Sequence, residues 1–530
     1  MNQLLYPDAV VHSTSERTRS GLLVLAIALA WLGCAAWMRP LFLPDEGRYV
    51  SVAWEMLSSG NWLIPTLDGM PFFHKPPLFY WLTALAMNAF GANEWAARSA
   101  SILGAAAGVA ILYVTTREWL GERVARRAAL VLATQPLFFG AAQFANLDML
   151  VAACIAATIL LGAQAAFRFE DGRPDRPALM GAYVAAVLGV LAKGLIGLVI
   201  PSLVLLLWLG LARRWRTLRR LCWLPGLSLF AALTLPWFAA VQWRYPGFLH
   251  YFIVVQHIQR FAGSGFNNVE AWWFYVPVLF ALTLPWSGWL LIHLRRSRRL
   301  DATRPGLVSL MLVWLAVVVC FFSVPQSKLI GYILPALWPI AVLVACTVSS
   351  MPQAVSDRAS RLWRGCAAVA VCVCVGVSVG FARVHPKSSR ELALQLEKHR
   401  DGHAGVAFVD EYPYDVPFYL RDASPIVVVS NWDPIEIQHH DNWRKELADA
   451  GSFAPRLAAE TLVGDERFRS MLCDGKLTFV IAKTDETHLY PFLAVAERVM
   501  SQGDRGLWHV DASNARVAAA LGCTAQAPNG

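Results

Sequence analysis

Residues 195–242 read LIGLVIPSLVLLLWLGLA, then RRWRTLRR, then LCWLPGLSLFAALTLPWFAAVQ. The two outer runs are each about twenty residues long and carry no charge, enough to cross a hydrocarbon core of roughly 30 Å as helices. Between them sit Arg213, Arg214, Arg216, Arg219 and Arg220. Arginine packed into a short loop between two such runs marks the cytoplasmic side, because the insertion machinery retains positive loops there. This segment therefore predicts a helical hairpin in a membrane, with its tip inside.

The same pattern repeats outward in both directions. Apolar runs fall near 21–38, 97–116, 124–140, 147–166, 178–191, 195–212, 222–242, 272–293, 306–322, 329–348 and 363–382, giving eleven expected spans. Residues 78 to 92, after Pro76 and Pro77, are short for a span and read as a re-entrant or interfacial helix. The first run follows Arg17 and Arg19 with no small-residue cleavage pattern before Asp45, so it is expected to be a retained helix. Composition agrees: 56% of the 530 residues are hydrophobic and 16% are charged, against about 25% charged in soluble domains. The net charge of +9 raises nucleic-acid binding, but the arginines lie in short inter-span loops, where orientation accounts for them. That function class is set aside.

With the N-terminus inside, the arginine loops at 117–127, 168–176, 213–220, 295–304 and 358–364 all fall on the cytoplasmic face, and the odd count of spans places the C-terminus outside. The expected division is a transmembrane domain over 1–385 and a periplasmic α/β domain over 386–530. In the latter, Ser388 with Glu391 reads as a capping box, and 405–410, 425–430 and 477–483 read as strands. Eight of the ten cysteines lie in or beside apolar segments without metal-ligand spacing. Cys473 and Cys523 are the two in the tail, and are either a disulfide, as an oxidising compartment favours, or two buried thiols.

Ionisable groups at membrane depth are costly and mark function, and here they sort to the outer face. Asp45 in Leu43-Pro44-Asp45-Glu46-Gly47-Arg48-Tyr49 is either a helix N-cap or a carboxylate serving as base, metal ligand or partner of a cation. Asp148 carries the same alternatives, with Asn146 as a rival cap. Lys193, in a break flanked by Gly194, either snorkels from a helix end or binds phosphate. Lys75, Arg260 and Lys328 could each be an interfacial anchor; together on one face they offer the cations a phosphate-bearing lipid requires. His74 and His257 are candidate metal ligands or ordinary packed histidines.

Pro-Asp-Glu-x-Arg-Tyr at 44–49, Lys-Pro at 75–76, Leu-Asp at 147–148, Lys-Gly at 193–194, His-Ile-Gln-Arg-Phe at 257–261, Tyr-Val-Pro-Val at 275–278 and Lys-Leu followed by Tyr-Ile-Leu at 328–334 together resemble the glycosyltransferase-C superfamily. Within it, the resemblance is to the bacterial aminoarabinose transferases that modify lipid A, a modification tied to polymyxin resistance. His74 stands where the best-known members have glutamate. The resemblance implies an inner-membrane enzyme moving 4-amino-4-deoxy-L-arabinose from undecaprenyl phosphate to a lipid A phosphate at the periplasmic face. Asp45 and Asp148 would then be catalytic, and Arg48, Tyr49, Lys75, Lys193, Arg260, Lys328 and Tyr332 would bind substrate. No nucleotide is expected, zinc could be held by His74 and His257 with a carboxylate such as Asp45, and the chain is expected to be a monomer among membrane lipids. A hydroxyl acceptor, as in protein mannosylation, is the alternative reaction, with Asp45 as general base. A transporter of lipid-linked sugar is the alternative class; the one-sided polar groups and the absence of an inverted repeat argue against it.

Overall fold

A computed structural model of the protein describes residues 14–259, 268–296, 304–350, 353–383, 388–400, 402, 404–438, 442–485 and 487–523. The chain forms two compact units, one from the described residues within 1–38, 74–82 and 98–384, the other from those within 39–73, 83–97 and 385–530.

The first unit is helical. Among the described residues, six stretches are long and apolar enough to cross a membrane: Glu94–Leu120, Leu147–Glu170, Arg176–Lys193, Trp215–Arg244, Ile330–Ser349 and Ala359–Arg383. Every one of the eleven expected spans falls on a helix or a pair of helices, with Thr18–Gly33, Ile196–Leu211 and Leu307–Ser323 as shorter apolar stretches. Three expected single spans are interrupted, each at proline. Residues 124–140 become Glu122–Ala133 and Pro136–Ala142, because the residue before a proline is driven out of the helical region and Gln135 is extended (φ −67°, ψ 126°). Residues 272–293 become Tyr275–Leu282 and Ser287–Arg296 on either side of Pro285. Residues 329–348 open with tight 3₁₀ turns at Ile330–Ala336, containing Pro335, before the α-helix Leu337–Ser349. The stretch expected to be re-entrant or interfacial forms the helix Leu78–Phe90.

Helix Leu147–Glu170 is the axis of this unit and is buried along nearly its whole length. Its alanines leave room for neighbours to approach closely, which is how helices associate where no water drives them together. The hairpin of Arg176–Lys193 and Ile196–Leu211 uses the same device. A Cβ on Gly189 would stand 3.2 Å from the Cα of Gly197, so neither position accepts a side chain without parting the helices. Gly194, at φ +88°, makes the reversal in the left-handed region that glycine adopts freely.

The second unit is α/β. Its six-stranded sheet has the order β5-β4-β3-β6-β8-β7, from β3 (Val406–Val409), β4 (Val427–Val429), β5 (Leu462–Val463), β6 (Phe479–Lys483), β7 (Glu497–Gln502) and β8 (Arg505–His509). The pairs β3/β4, β3/β6 and β4/β5 are parallel, while β8 pairs antiparallel with β6 and β7. The core beneath it includes Val409, Val429, Phe468, Val480, Phe492 and Trp508. Cys473 and Cys523 are bonded, closing a separation of 50 residues between the helices Asp465–Cys473 and Ala515–Leu521. The expected capping box is absent in that form: the Ser388 hydroxyl donates to the Asp415 carboxylate at 2.7 Å and accepts from the Arg390 N–H.

A simple cut at 385/386 misses part of this unit, since residues 39–73 and 83–97 also belong to it. Helix Asp45–Ser59 lies so close to the tail that a Cβ on Gly47 would be 3.0 Å from the Asp415 backbone nitrogen. A short hairpin, β1 (Thr66–Leu67) and β2 (Met70–Pro71), completes the attachment through its turn Asp68-Gly69. The Glu55 carboxylate accepts both turn N–H groups, at 2.7 and 3.0 Å. Asp68 in turn accepts the Ile426 N–H at 2.8 Å and the Tyr412 hydroxyl at 3.4 Å.

Burial raises Glu55 to about 7, and burial, with the nearby Glu55 charge adding to it, raises Asp68 to about 8. In the unfolded chain both ionise near pH 4. The folded state therefore binds more protons over that interval, and stability from this pair falls as pH rises from about 4 to about 8. The thermal midpoint in detergent should be lower at pH 8.5 than at pH 6, and Asp68→Asn, which keeps the shape without the titration, should flatten the slope. An unchanged slope in the variant would remove this pair as its source.

Candidate functional site

In the membrane unit, the site begins at two helix ends. Leu147–Glu170 is capped by Asn146, whose side chain accepts the Asp148 N–H at 3.0 Å. That settles the rivalry for the cap, and leaves the Asp148 carboxylate free to face Lys193, the last residue of its helix, with which it forms an ion pair. A carboxylate in a first helical turn and a lysine in a last turn each complement the local backbone dipole. The Lys193 ammonium also sits 4.5 Å from the centre of the Tyr332 ring, a cation–π contact. Gly331 lies against the Asp148 carboxylate so closely that any Cβ would collide with it.

His257 closes the other side. Its Nδ1 is 2.6 Å from the Phe252 carbonyl, and its Nε2 faces the backbone at Gly194. Burial, together with the charges of Lys75 and Lys193, holds its pKa below the usual histidine value. Lys193, Asp148, Tyr332 and His257 are thus brought together, and Lys75 is near enough for its charge to act on His257. His74 is buried, with its ring 6.1 Å from that of Tyr251.

Lys328 has a different role from the one expected. Its ammonium donates to the carbonyls of Pro325 at 2.6 Å and Glu270 at 2.9 Å and reaches that of Gln326 at 3.5 Å, and the residue as a whole is 4% exposed. All three contacts go to backbone carbonyls, so in this structure Lys328 ties two loop segments together. Arg260 lies outside the described residues. The residues present do not fit a zinc site: among the described residues no three His, Cys, Asp or Glu side chains come together, and Asp45 is engaged by Arg48.

In the second unit, Asp45 is the first residue of helix Asp45–Ser59, with Pro44 in the cap position. Its carboxylate makes no cap; it accepts from Arg48 Nη2 at 2.5 Å and its side chain stays 37% exposed. The neighbouring Glu46 is the structural acid, fully buried, accepting the Phe42 N–H at 2.8 Å and paired with Arg39. Arg48 continues to Glu446, with its guanidinium 5.0 Å from the Tyr49 ring. Sequence reading missed Glu446 and Tyr414, whose hydroxyl donates to Glu446 at 2.5 Å. No local signal marks them, because Glu446 stands 398 residues from Arg48 and Tyr414 lies in the same distant tail.

Residues 74–239 match the family of dolichyl-phosphate-mannose-protein mannosyltransferases. The undecaprenyl phosphate-alpha-4-amino-4-deoxy-L-arabinose arabinosyl transferase 1 of Pseudomonas fluorescens is 34% identical over 370 residues, 68% of this chain and 63% of that protein. The corresponding transferase of Pseudomonas aeruginosa is 34% identical over 336 residues, 62% of this chain and 59% of its own. The chain thus spans about three-fifths of the length of these curated relatives. Among solved structures, ArnT of Cupriavidus metallidurans bound to undecaprenyl phosphate superposes with a TM-score of 0.78 at 23% identity, over 93% of this chain and 98% of that one. An oligosaccharyltransferase of Archaeoglobus fulgidus superposes at 0.56, with 13% identity, over 89% and 70%. Fold and polar clusters define a polytopic membrane protein of the glycosyltransferase-C class. Within that superfamily the chain belongs with the proteins named undecaprenyl phosphate-alpha-4-amino-4-deoxy-L-arabinose arabinosyl transferases, one of which is 34% identical to it over 68% of its length.

Asp148→Leu leaves the Lys193 ammonium enclosed without its counter-ion, at a cost of about 3 kcal/mol. The thermal midpoint in detergent should fall clearly in that variant and recover most of the loss in Asp148→Leu/Lys193→Met. Additive losses in the double variant would mean the two side chains do not depend on each other.

Proposed function

We propose that the protein transfers 4-amino-4-deoxy-L-arabinose from undecaprenyl phosphate to a phosphate of lipid A at the periplasmic face of the inner membrane. The observation that carries the reading is the Lys193–Asp148 pair beside His257, a histidine on which the charge of Lys75 also acts. Two ammonium groups there suit the phosphate of a lipid carrier, and the names of the relatives point to the same donor.

In the reaction, an acceptor phosphate oxygen attacks the anomeric carbon. The bond from that carbon to the carrier oxygen breaks, and the carrier leaves as a phosphate monoester. An acceptor phosphate is already anionic near neutral pH, so no proton has to be removed. One negative charge moves from acceptor to carrier, and the lysines stabilise it as it develops. Asp45, held by Arg48 with part of its carboxylate exposed, is assigned to orienting the donor sugar. A hydroxyl acceptor would instead require Asp45 as general base. The arginine loops support an outward-facing tail, as does the Cys473–Cys523 disulfide, since such bonds persist in oxidising compartments.

Mass spectrometry of lipid A from cells lacking and then regaining the gene should show the aminoarabinose adduct with the intact chain and none with Asp45→Asn, at equal protein levels. An unmodified lipid A in the complemented cells would refute the acceptor, and full modification by Asp45→Asn would return that residue to structure. Purified Lys75→Ala should bind undecaprenyl phosphate about ten- to hundredfold more weakly, from the loss of one charge-assisted contact worth roughly 1.5 to 3 kcal/mol. Unaltered affinity would exclude Lys75 from the phosphate site.

A further inference from the structure

Asp45 and Arg48 alone would be a partly exposed pair three residues apart on a helix, an arrangement worth at most about 1 kcal/mol and free to change rotamer. The C-terminal part of the second unit prevents that. Arg48 offers one amino group to Asp45 and the other to Glu446, so its guanidinium is shared between two carboxylates. The Glu446 side chain is 11% exposed against 37% for Asp45. Its second oxygen accepts from the Tyr414 hydroxyl at 2.5 Å. Tyr414 is buried, and its backbone carbonyl accepts the hydroxyl of Ser51 on the Asp45 helix. Glu446 itself lies in the first turn of Trp443–Ser452, a helix start secured by Asn442, whose side chain accepts from the N–H groups of Arg444 at 3.0 Å and Lys445 at 3.4 Å. The guanidinium also lies over the rings of Tyr49, at 5.0 Å, and Tyr414, at 5.9 Å.

We infer that Glu446, locked by Tyr414, is a positioning residue that fixes Arg48 and through it aims the Asp45 carboxylate, so that the tail takes part in sugar transfer. The inference rests on the catalytic assignment of Asp45 made above. It assigns no contact with substrate to Glu446. Its effect passes through one fork of a planar group, whose two ends cannot move independently, and a misplacement of about 1 Å in a reacting geometry can cost a hundredfold in rate.

The test measures kcat and KM for the lipid-linked sugar with the full-length protein in detergent, beside its thermal midpoint. Glu446→Gln retains an acceptor for Arg48 but loses the charge, and should lower kcat about tenfold or more while KM stays within about twofold. Tyr414→Phe, an isosteric change certain to leave the charges in place, should lower kcat in the same direction by less. In an Arg48→Lys background, which has already lost the fork, Glu446→Gln should have little further effect on kcat. A purely structural role would instead lower the midpoint and the active fraction equally in both backgrounds, and that additive result would overturn the inference. Wild-type kcat in both Glu446→Gln and Tyr414→Phe, with Asp45→Asn inactive, would overturn the positioning role and leave the function standing. Full activity in Asp45→Asn would overturn the catalytic assignment and the inference with it.

Discussion

A largely enclosed ammonium must keep a counter-ion, and the Lys193–Asp148 pair is the constraint on which the membrane unit is organised. It requires two helix ends to meet, one finishing at Lys193 and one starting at Leu147. From that follow the reversal at Gly194, the cap supplied by Asn146 so that Asp148 is spared, and a glycine at 331 where any side chain would displace the carboxylate. Desolvation makes the pair an expensive way to gain stability. Its place beside Lys75 and His257 gives it a reason to exist other than stability.

Much of this architecture is legible in the chain because membrane crossing is governed by local composition. Spans at 97–116 and 147–166 are uniform apolar runs and appear as helices Glu94–Leu120 and Leu147–Glu170. The expected single crossings at 124–140 and 272–293 are each two helices, since hydropathy counts Pro136 and Pro285 as tolerable while the backbone does not. In the tail, the three parallel strands β3, β4 and β6 are short apolar runs and were legible. The hairpin of β7 and β8 was not: β7 is an edge strand carrying Glu497, Arg498 and Ser501, whose exposed polar side chains erase the apolar alternation.

The candidate site divides along the same line. Residue type and membrane side were enough to nominate Asp45, Lys75, Asp148 and Lys193 as candidates, and His257 only as a metal ligand, but could not separate neighbours of like chemistry. Asp45 and Glu46 are adjacent acids; one is partly exposed on Arg48 and the other is buried against the Phe42 N–H. Lys328 looks like Lys75 in sequence, yet its donors are consumed by carbonyls. The attachment of residues 39–73 to the tail was equally invisible, because it depends on Glu55 binding a hairpin turn and on Asp68 reaching Ile426, contacts between segments with no shared pattern.

The proposed chemistry explains why lysine suits this cluster. Before transfer the carrier phosphate is a diester bearing one charge; after transfer it is a monoester approaching two. Catalysis requires the protein to bind the developing charge more strongly than the starting one. Lysine, a compact point charge on a flexible stem, can follow a phosphate whose charge and position change, whereas a bidentate arginine prefers one geometry. Lys193 is partly neutralised by Asp148 and faces Tyr332, so its field at a singly charged diester is moderate. As the carrier gains charge, the ammonium can share its donors between Asp148 and the leaving phosphate. On this reading Asp148 weakens ground-state binding of the donor and of the product carrier alike, which keeps the product from being held too tightly to leave.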